Sequence, residues 1–268
     1  MDPLRSRLAT ARARHALRCS GLPYQGRLER ASSTHNEIHL NERYVIRTSK
    51  GMDDRLSREA MVYPHLPRHQ WTPVEVATGT EVGADFLIIE RKPGRPLAHV
   101  WPELTPAQRR YAVHQLGAYL SLLHRTATPP DLPRLRRCPQ LLDGQCLPAT
   151  APLDAAIDEL RDLGRTDLGL LAEVEATVDE HLCHLDGFDE TNLVHGDLTF
   201  ENLLWHDDGL SAVIDFEWCR GGPADLDLDV LLRCCAFPAL HVGADHVERT
   251  RTADYADVLT WLAEVDQA

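Results

Sequence analysis

The most constraining feature of this chain is a set of polar residues at fixed spacing within residues 193–217. Asp197 follows a His-Gly pair, Asn202 comes five residues later, and Asp215 ends a further apolar run. Such a set offers one carboxylate, one carboxamide and a second carboxylate. Whether these side chains meet depends on how the segment between Asn202 and Asp215 folds.

That segment predicts a β-hairpin. Two short apolar runs, 202–205 and 211–214, flank the sequence His-Asp-Asp-Gly, which is typical of a turn. Pairing across the turn sets Trp205 near Ser211 and Asn202 near Ile214. Asn202 and Asp215 are therefore expected side by side at the open end of the hairpin.

This arrangement predicts phosphoryl transfer. Mg²⁺ prefers oxygen ligands and commonly takes one or two carboxylates together with phosphate oxygens. Asn202 and Asp215 supply such oxygens, so they are the predicted Mg²⁺ ligands. Asp197 is predicted to accept or orient the proton of an attacking hydroxyl group. For His195 we expect a structural role in bracing the loop.

Two common phosphate-binding motifs are missing from the sequence. It contains neither G-x-x-x-x-G-K-[ST] nor G-x-G-x-x-G. Small hydroxyl residues between the first two predicted strands, including Ser33 and Thr34, are compatible with backbone N–H groups that approach phosphates. A simple polar turn explains them equally well.

The secondary-structure pattern predicts an α+β chain with two lobes. Short strands and two helices, over about 1–18 and 55–62, fill the first 90 residues, a Pro- and Gly-bearing segment follows, and helices dominate afterwards. We expect a small β-rich N-terminal nucleotide-binding lobe (1–90), a hinge (91–96) and a larger helical catalytic and substrate-binding lobe (97–268). A cleft between lobes is a natural ligand site.

Charge and composition favour a cationic small-molecule partner. Residues 1–90 carry 13 Lys/Arg and 11 Asp/Glu, net +2, whereas residues 91–268 carry 15 and 30, net −15. The acidic part would repel nucleic acid.

The apolar runs are too short to span a bilayer. Seven cysteines without a C-x-x-C pair are typical of reduced thiols, so we expect a cytoplasmic protein without a membrane partner.

The motif region resembles the aminoglycoside phosphotransferase family. The resemblance rests on His-Gly-Asp-x-x-x-x-Asn at 195–202, on Ile-Asp-Phe-Glu at 214–217 and on Gly-Pro-Ala-Asp-Leu-Asp-Leu at 222–228. It extends over about residues 22–235. It implies a bilobal, protein-kinase-like fold and an enzyme that moves the γ-phosphate of ATP or GTP to an alcohol group.

The resemblance also implies roles for residues outside the motif. It makes Asp197 the catalytic-loop aspartate, and it makes Arg47 the cation that holds the α- and β-phosphates, with Glu59 as its ion-pair partner. Lys50 is the alternative phosphate-binding cation. Alternation along the strand favours Arg47, because Lys50 lies beyond the strand. Backbone groups from Glu90 to Lys92 would meet the nucleobase.

Further acidic residues are candidates for substrate binding. Glu217 follows the metal aspartate by two residues, so it would bind an amine of the substrate or remain a solvated charge. Asp189 and Glu190 are weaker candidates for the same role. Asp227 matches the family pattern and is expected to brace the catalytic loop.

The predicted acceptor is a cationic antibiotic, so the expected outcome is resistance by phosphorylation. Aminoglycosides come first, and cyclic peptides of the viomycin and capreomycin type come second. Three alternatives stay open at this point: a metabolic kinase for choline, homoserine or a sugar, a nucleotide-binding pseudoenzyme, and a metal-dependent phosphoesterase.

Overall fold

A five-stranded antiparallel sheet dominates the first 90 residues. The computed structural model describes residues 3–22, 24–31, 33, 36–51, 54–133, 150–181, 191–236, 261–262 and 264. The strands of this sheet are β1 (Glu29–Ala31), β2 (Asn36–Leu40), β3 (Tyr44–Ser49), β4 (Glu75–Gly79) and β5 (Phe86–Glu90). Their order across the sheet is β1-β2-β3-β5-β4.

Helices cover both faces of this sheet. The first helix, α1 (Pro3–Cys19), packs Ala13, Ala16 and Leu17 against Ile46 on the outer face. The second, α2 (Arg55–Val62), packs on the opposite face beside β5. Alternation along β3 therefore points Ile46 outward and Arg47 towards the inner face.

Beyond β5 the chain becomes largely helical, as the sequence predicts. Thr105 caps the long helix with a reciprocal capping box, in which its hydroxyl accepts the N–H of Gln108. No helix within the described ranges combines the length and hydropathy needed to cross a membrane. The α-helices described after β5 are α3 (Leu97–Val100), the long helix α4 (Pro106–Leu123), α5 (Thr150–Leu163), α6 (Leu168–His181) and α7 (Asp225–Ala236).

Short strands surround the motif region. β6 (Arg95–Pro96) pairs with β8 (Leu203–His206), which forms the predicted hairpin with β9 (Gly209–Val213). β7 (Leu193–Val194) pairs with β10 (Arg220–Gly221). The boundaries predicted for the two lobes and the hinge remain a prediction.

The hairpin has a different register near its turn from the one predicted. Asp207 and Asp208 both have positive φ values, 46° and 61°. Such a two-residue turn pairs the flanking residues directly, so Trp205 lies opposite Leu210 and not opposite Ser211. A register shift then restores the expected alignment at the open end.

Candidate active site

The loop after β7 carries Asp197 and needs a glycine. Gly196 has φ +79°, a conformation that L side chains rarely adopt. A Cβ atom there would also collide with the Trp218 carbonyl and the Arg220 guanidinium. The loop therefore turns sharply just before Asp197, and this turn directs the chain towards the hairpin.

Asp227, near the start of α7, anchors this loop from below. Its fully buried carboxylate accepts the N–H of His195 at 2.8 Å, the N–H of Gly196 at 2.7 Å and the His124 Nε2 at 2.9 Å. Burial alone would raise the pKa of Asp227. The hydrogen bond from His124, the nearby His195 and the Gly196 N–H outweigh it and hold the pKa below its ordinary value.

His195 connects the loop to the hairpin. Its Nδ1 accepts the N–H of Asp197 at 3.3 Å, so Nε2 carries the proton and donates to the Ile214 carbonyl at 2.9 Å. The ring also packs on Phe216, with centroids 4.8 Å apart. These contacts fit the bracing role expected from the sequence.

Asp197, Asn202 and Asp215 come together, as the hairpin prediction requires. The Asn202 amide donates to the Asp197 carbonyl at 2.8 Å and to its carboxylate Oδ2 at 3.2 Å. The Ile214 N–H donates to the Asn202 carbonyl at 2.9 Å, which brings Asp215 beside Asn202. Asp215 itself is left-handed, with φ 69° and ψ 62°.

The donor set at this point suits a hard cation. Among the described residues, Asn202 Oδ1 and Asp215 Oδ2 have no hydrogen-bond partner, whereas the Asn202 nitrogen is turned towards Asp197. Asp215 is also partly open, with 35 % of its side chain exposed. An amide oxygen and a carboxylate oxygen are ligands that Mg²⁺ accepts, so the residues present fit this ion.

Arg47 lies next to these residues and contacts three carboxylates. Its Nη1 donates to both Glu59 oxygens, at 2.8 and 2.6 Å, and its Nη2 donates to Asp215 at 2.7 Å and to Glu217 at 3.0 Å. Burial would lower the pKa of Arg47, but Asp215, Glu59 and Glu217 raise it above its ordinary value.

The same crowding acts on the acids. Burial raises the pKa of Glu217, and the Asp215 carboxylate adds to the effect, although Arg47 and Arg55 oppose it. Burial likewise raises the pKa of Glu59, against the attraction of Arg47. The guanidinium of Arg47 is therefore the cation that allows three acids to lie together.

The family model described as "Phosphotransferase enzyme family" (APH) matches residues 29–264. This chain belongs to that family. The enzyme is thus a phosphotransferase that acts on a hydroxyl group of a small molecule. Comparison with curated proteins finds no match to the chain.

Solved structures share the fold of this phosphotransferase. APH(2'')-Ib bound to ADP is 18% identical, with a TM-score of 0.60, and the match covers 92% of this chain and 84% of that one. Aminoglycoside 2'-phosphotransferase-IIIa in complex with GDP is 17% identical, with a TM-score of 0.61 and coverage of 94% and 86%. APH(4)-Ia with ADP and hygromycin B is 17% identical, with a TM-score of 0.54 and coverage of 95% and 89%. The predicted kinase-like α+β fold is confirmed.

The two candidate phosphate-binding cations of the phosphotransferase lie in different surroundings. Arg47 is buried beside Glu59, whereas the Lys50 ammonium donates to the Ser33 carbonyl at 2.6 Å. Ser33 itself lies in the turn before β2, where its hydroxyl accepts the N–H of Asn36 at 3.3 Å. Thr34, the next residue in the sequence, lies outside the described residues.

Of the remaining predicted site residues, the structure describes Glu90, Lys92 and Glu217. Glu90 ends β5, and its carboxylate lies 3.2 Å from the Lys92 ammonium in the segment that follows. Glu217 is only 4 % exposed and contacts side chains, so it is no solvated charge. Asp189 and Glu190 lie outside the described residues.

Sequence reasoning missed three residues that line the phosphotransferase site. Asn36, Arg55 and Arg58 all contact Glu217. The spacing of Arg55, Arg58 and Glu59 is a usable signal, because positions i, i+3 and i+4 share one face of a helix. Asn36, at the start of β2, offers no such signal.

Proposed function

We propose that this enzyme transfers the γ-phosphoryl group of ATP or GTP to a hydroxyl group of a cationic small molecule, an aminoglycoside antibiotic being the first candidate. The observation that carries the proposal is the convergence of Asp197, Asn202 and Asp215 beside the buried Arg47–Glu59 pair in a chain of this family. Resistance by phosphorylation is the expected biological outcome.

Asp197 is the proposed catalytic residue. Its carboxylate would accept or orient the proton of the attacking hydroxyl group, and Asn202 fixes the carboxylate through the 3.2 Å hydrogen bond. Asn202 and Asp215 would hold Mg²⁺ through their oxygens. When bound, the ion supplies positive charge that offsets the negative charge of the phosphates during transfer.

Arg47 is the proposed phosphate-binding residue. Its guanidinium is planar and offers several N–H donors, so it can hold phosphate oxygens while Glu59 fixes its other side. Ser33 and Thr34 would lie near the phosphates in the turn before β2. Glu90 and Lys92 would meet the nucleobase through their backbone groups.

The charge of the second half of the chain supports a cationic acceptor. Helices α5 and α6 carry eight Asp or Glu residues and one arginine. Their described acidic side chains are mostly exposed. A polyamine would be attracted to such a surface, whereas nucleic acid would be repelled. Several neighbours in the structural comparison were solved with streptomycin, gentamicin or kanamycin, which supports aminoglycosides as the first acceptors.

A panel experiment tests the proposal. The protein is incubated with Mg²⁺ and either ATP or GTP, together with aminoglycosides, viomycin, capreomycin, choline, homoserine and a neutral sugar. Mass spectrometry then detects the gain of one phosphoryl group. We expect gain on an aminoglycoside; gain only on viomycin or capreomycin would move the assignment to the cyclic peptides. Gain only on choline, homoserine or the sugar would make the enzyme a metabolic kinase.

Matched variants assign the chemistry. Asp197→Asn should reduce the rate by about 10²–10⁴-fold, the usual contribution of a positioned base. Asp207→Asn, in the exposed turn of the hairpin, removes the same charge and should leave the rate unchanged. Unchanged product formation by the Asp197 variant would contradict the proposed role. Phosphate release from a monoester without any nucleotide would instead support a phosphoesterase.

A further inference from the structure

Glu217 connects three separate elements around Arg47. Its Oε2 accepts the Asn36 amide of β2 at 3.0 Å and the Arg47 Nη2 of β3 at 3.0 Å. Its Oε1 lies 3.4 Å from the Arg55 Nη1 of α2. A single buried carboxylate therefore joins two strands of the sheet and the helix that packs on it.

The backbone of Glu217 adds a fourth connection. Arg58, which is 3 % exposed, directs its Nη1 to the Glu217 carbonyl at 3.4 Å and donates from Nε to the Pro133 carbonyl at 2.8 Å. The position of Glu217 is thus fixed from α2 and from the segment after α4.

The way Arg47 uses its two terminal nitrogens gives Glu217 a specific task. Nη1 is committed to Glu59, and Nη2 is shared between Asp215 and Glu217. If the Asp215 oxygens bind another cation, Glu217 is the carboxylate of this pair that still accepts a hydrogen bond from Nη2. The planar guanidinium then keeps its orientation, because both nitrogens remain bonded.

We propose that Glu217 is a positioning residue that holds Arg47 and the start of β2 in place for the nucleotide phosphates, and that it binds neither the metal ion nor the acceptor. This proposal rests on the proposed function. Oxygens of Glu59, Asp215 and Glu217 lie within 4.8 Å of one another. However, both Glu217 oxygens already face Arg47, Asn36 and Arg55, whereas Asp215 keeps a free oxygen.

A double-mutant cycle with Arg47 tests this role. Glu217→Gln keeps the shape of the side chain but removes its charge. It should weaken nucleotide binding by about 10–100-fold, the scale on which a metal site weakens when the hydrogen-bonded partner of a ligand is lost. In an Arg47→Lys background the second nitrogen is missing. The same Gln substitution should then cost less than about threefold, because coupled residues are not additive. An equal loss in both backgrounds would overturn the proposal.

The measurements separate the possible roles of Glu217. Nucleotide affinity is measured directly with a non-hydrolysable ATP or GTP analogue, and the Mg²⁺ and acceptor dependence of the rate are measured at saturating nucleotide. We expect the Mg²⁺ concentration for half-maximal rate and the KM of the acceptor to stay unchanged. A shift in the Mg²⁺ dependence alone would make Glu217 a metal ligand, and a shift in the acceptor KM alone would make it a substrate ligand.

A charge-matched control variant and a check of folding distinguish a specific effect of Glu217 from a general loss of charge or structure. Glu103→Gln removes one charge from an exposed ion pair with Arg95, and it should leave nucleotide affinity unchanged. Circular dichroism and thermal unfolding establish that each variant is folded. If the Gln variant unfolds, Glu217→Asp provides the second variant. Because it keeps the charge, it should retain part of the nucleotide affinity when Arg47 is present, but it should make no difference in the Arg47→Lys background. Absence of nucleotide binding by the wild type would refute the proposed function, whereas normal binding by Glu217→Gln refutes only this inference.

Discussion

Replacing Asp227 with asparagine should destabilise the protein and slow the reaction together. Asparagine keeps the size of the side chain, but its single oxygen cannot accept all three donors that now surround the carboxylate. If the oxygen faces His195 and His124, the amide nitrogen faces the Gly196 N–H. One buried N–H then loses its acceptor, and the remaining hydrogen bonds lose their charge.

The expected cost follows from these two losses. An unsatisfied buried donor costs about 1–3 kcal/mol, and hydrogen bonds to a charged group contribute about 1.5–3 kcal/mol. We therefore expect about 3 kcal/mol of lost stability, or a fall in Tm of about 6–12 °C for a chain of this size. Because the same bonds position the loop before Asp197, the rate should fall by about 10²-fold as well.

The assay compares this variant with a matched control over a range of pH. Asp225→Asn removes the same charge from an exposed position on α7 and should change Tm little. The folded-state pKa of Asp227 is lowered, so its carboxylate stabilises the fold above the ordinary value of 3.8, and this stabilisation is lost as pH falls through the lower folded-state pKa. The difference between wild type and Asp227→Asn should therefore be constant near neutral pH and shrink in acid. Equal stability and equal rates for both variants would refute the argument.

Three further predictions concern other parts of the fold. His39 is buried beneath α1 with a lowered pKa, chiefly through burial, so stability should decline as pH falls below 6.5, and His39→Leu should remove that decline in thermal unfolding between pH 5 and 8. Gly196→Ala should cost more than about 1 kcal/mol in denaturant titration and reduce activity, because φ is +79° and the Trp218 carbonyl blocks the Cβ atom. Thr105→Ala should cost about 1 kcal/mol in the same titration, because the helix loses its cap.

The local part of the site could be predicted from the sequence. Asn202 and Asp215 lie at the two ends of a hairpin whose turn and apolar runs are short and regular, so simple pairing brings them together. The register of the β8–β9 pairing near the turn was harder to predict from the sequence. Two residues in the left-handed conformation tighten the turn, and the register shift that compensates has no clear mark in the sequence.

The surroundings of Arg47 could not be predicted in the same way. The contacts from Arg47 to Asp215 and Glu217 span 168 and 170 residues, and they exist only because α2 packs between the sheet and the segment after the hairpin. The sequence places Glu217 two residues after the predicted metal ligand Asp215, a position that suggests exposure to the cleft. Packing decides otherwise, since three arginines and one asparagine surround it.

Two buried acids, Asp227 and Glu59, each accept a backbone N–H at a left-handed turn of the site. Gly196 and Asp215 both adopt left-handed backbone conformations. Glycine adopts this conformation readily, whereas Asp215 needs the surrounding structure to hold it there. The Gly196 N–H donates to Asp227 at 2.7 Å, and the Phe216 N–H, immediately after Asp215, donates to Glu59 at 3.1 Å. Each acid lies on a helix, so rigid elements fix both turns. Glu59 therefore orients Arg47 and also holds the turn that presents Asp215, which makes the phosphate-binding and metal-binding parts of the site depend on one carboxylate.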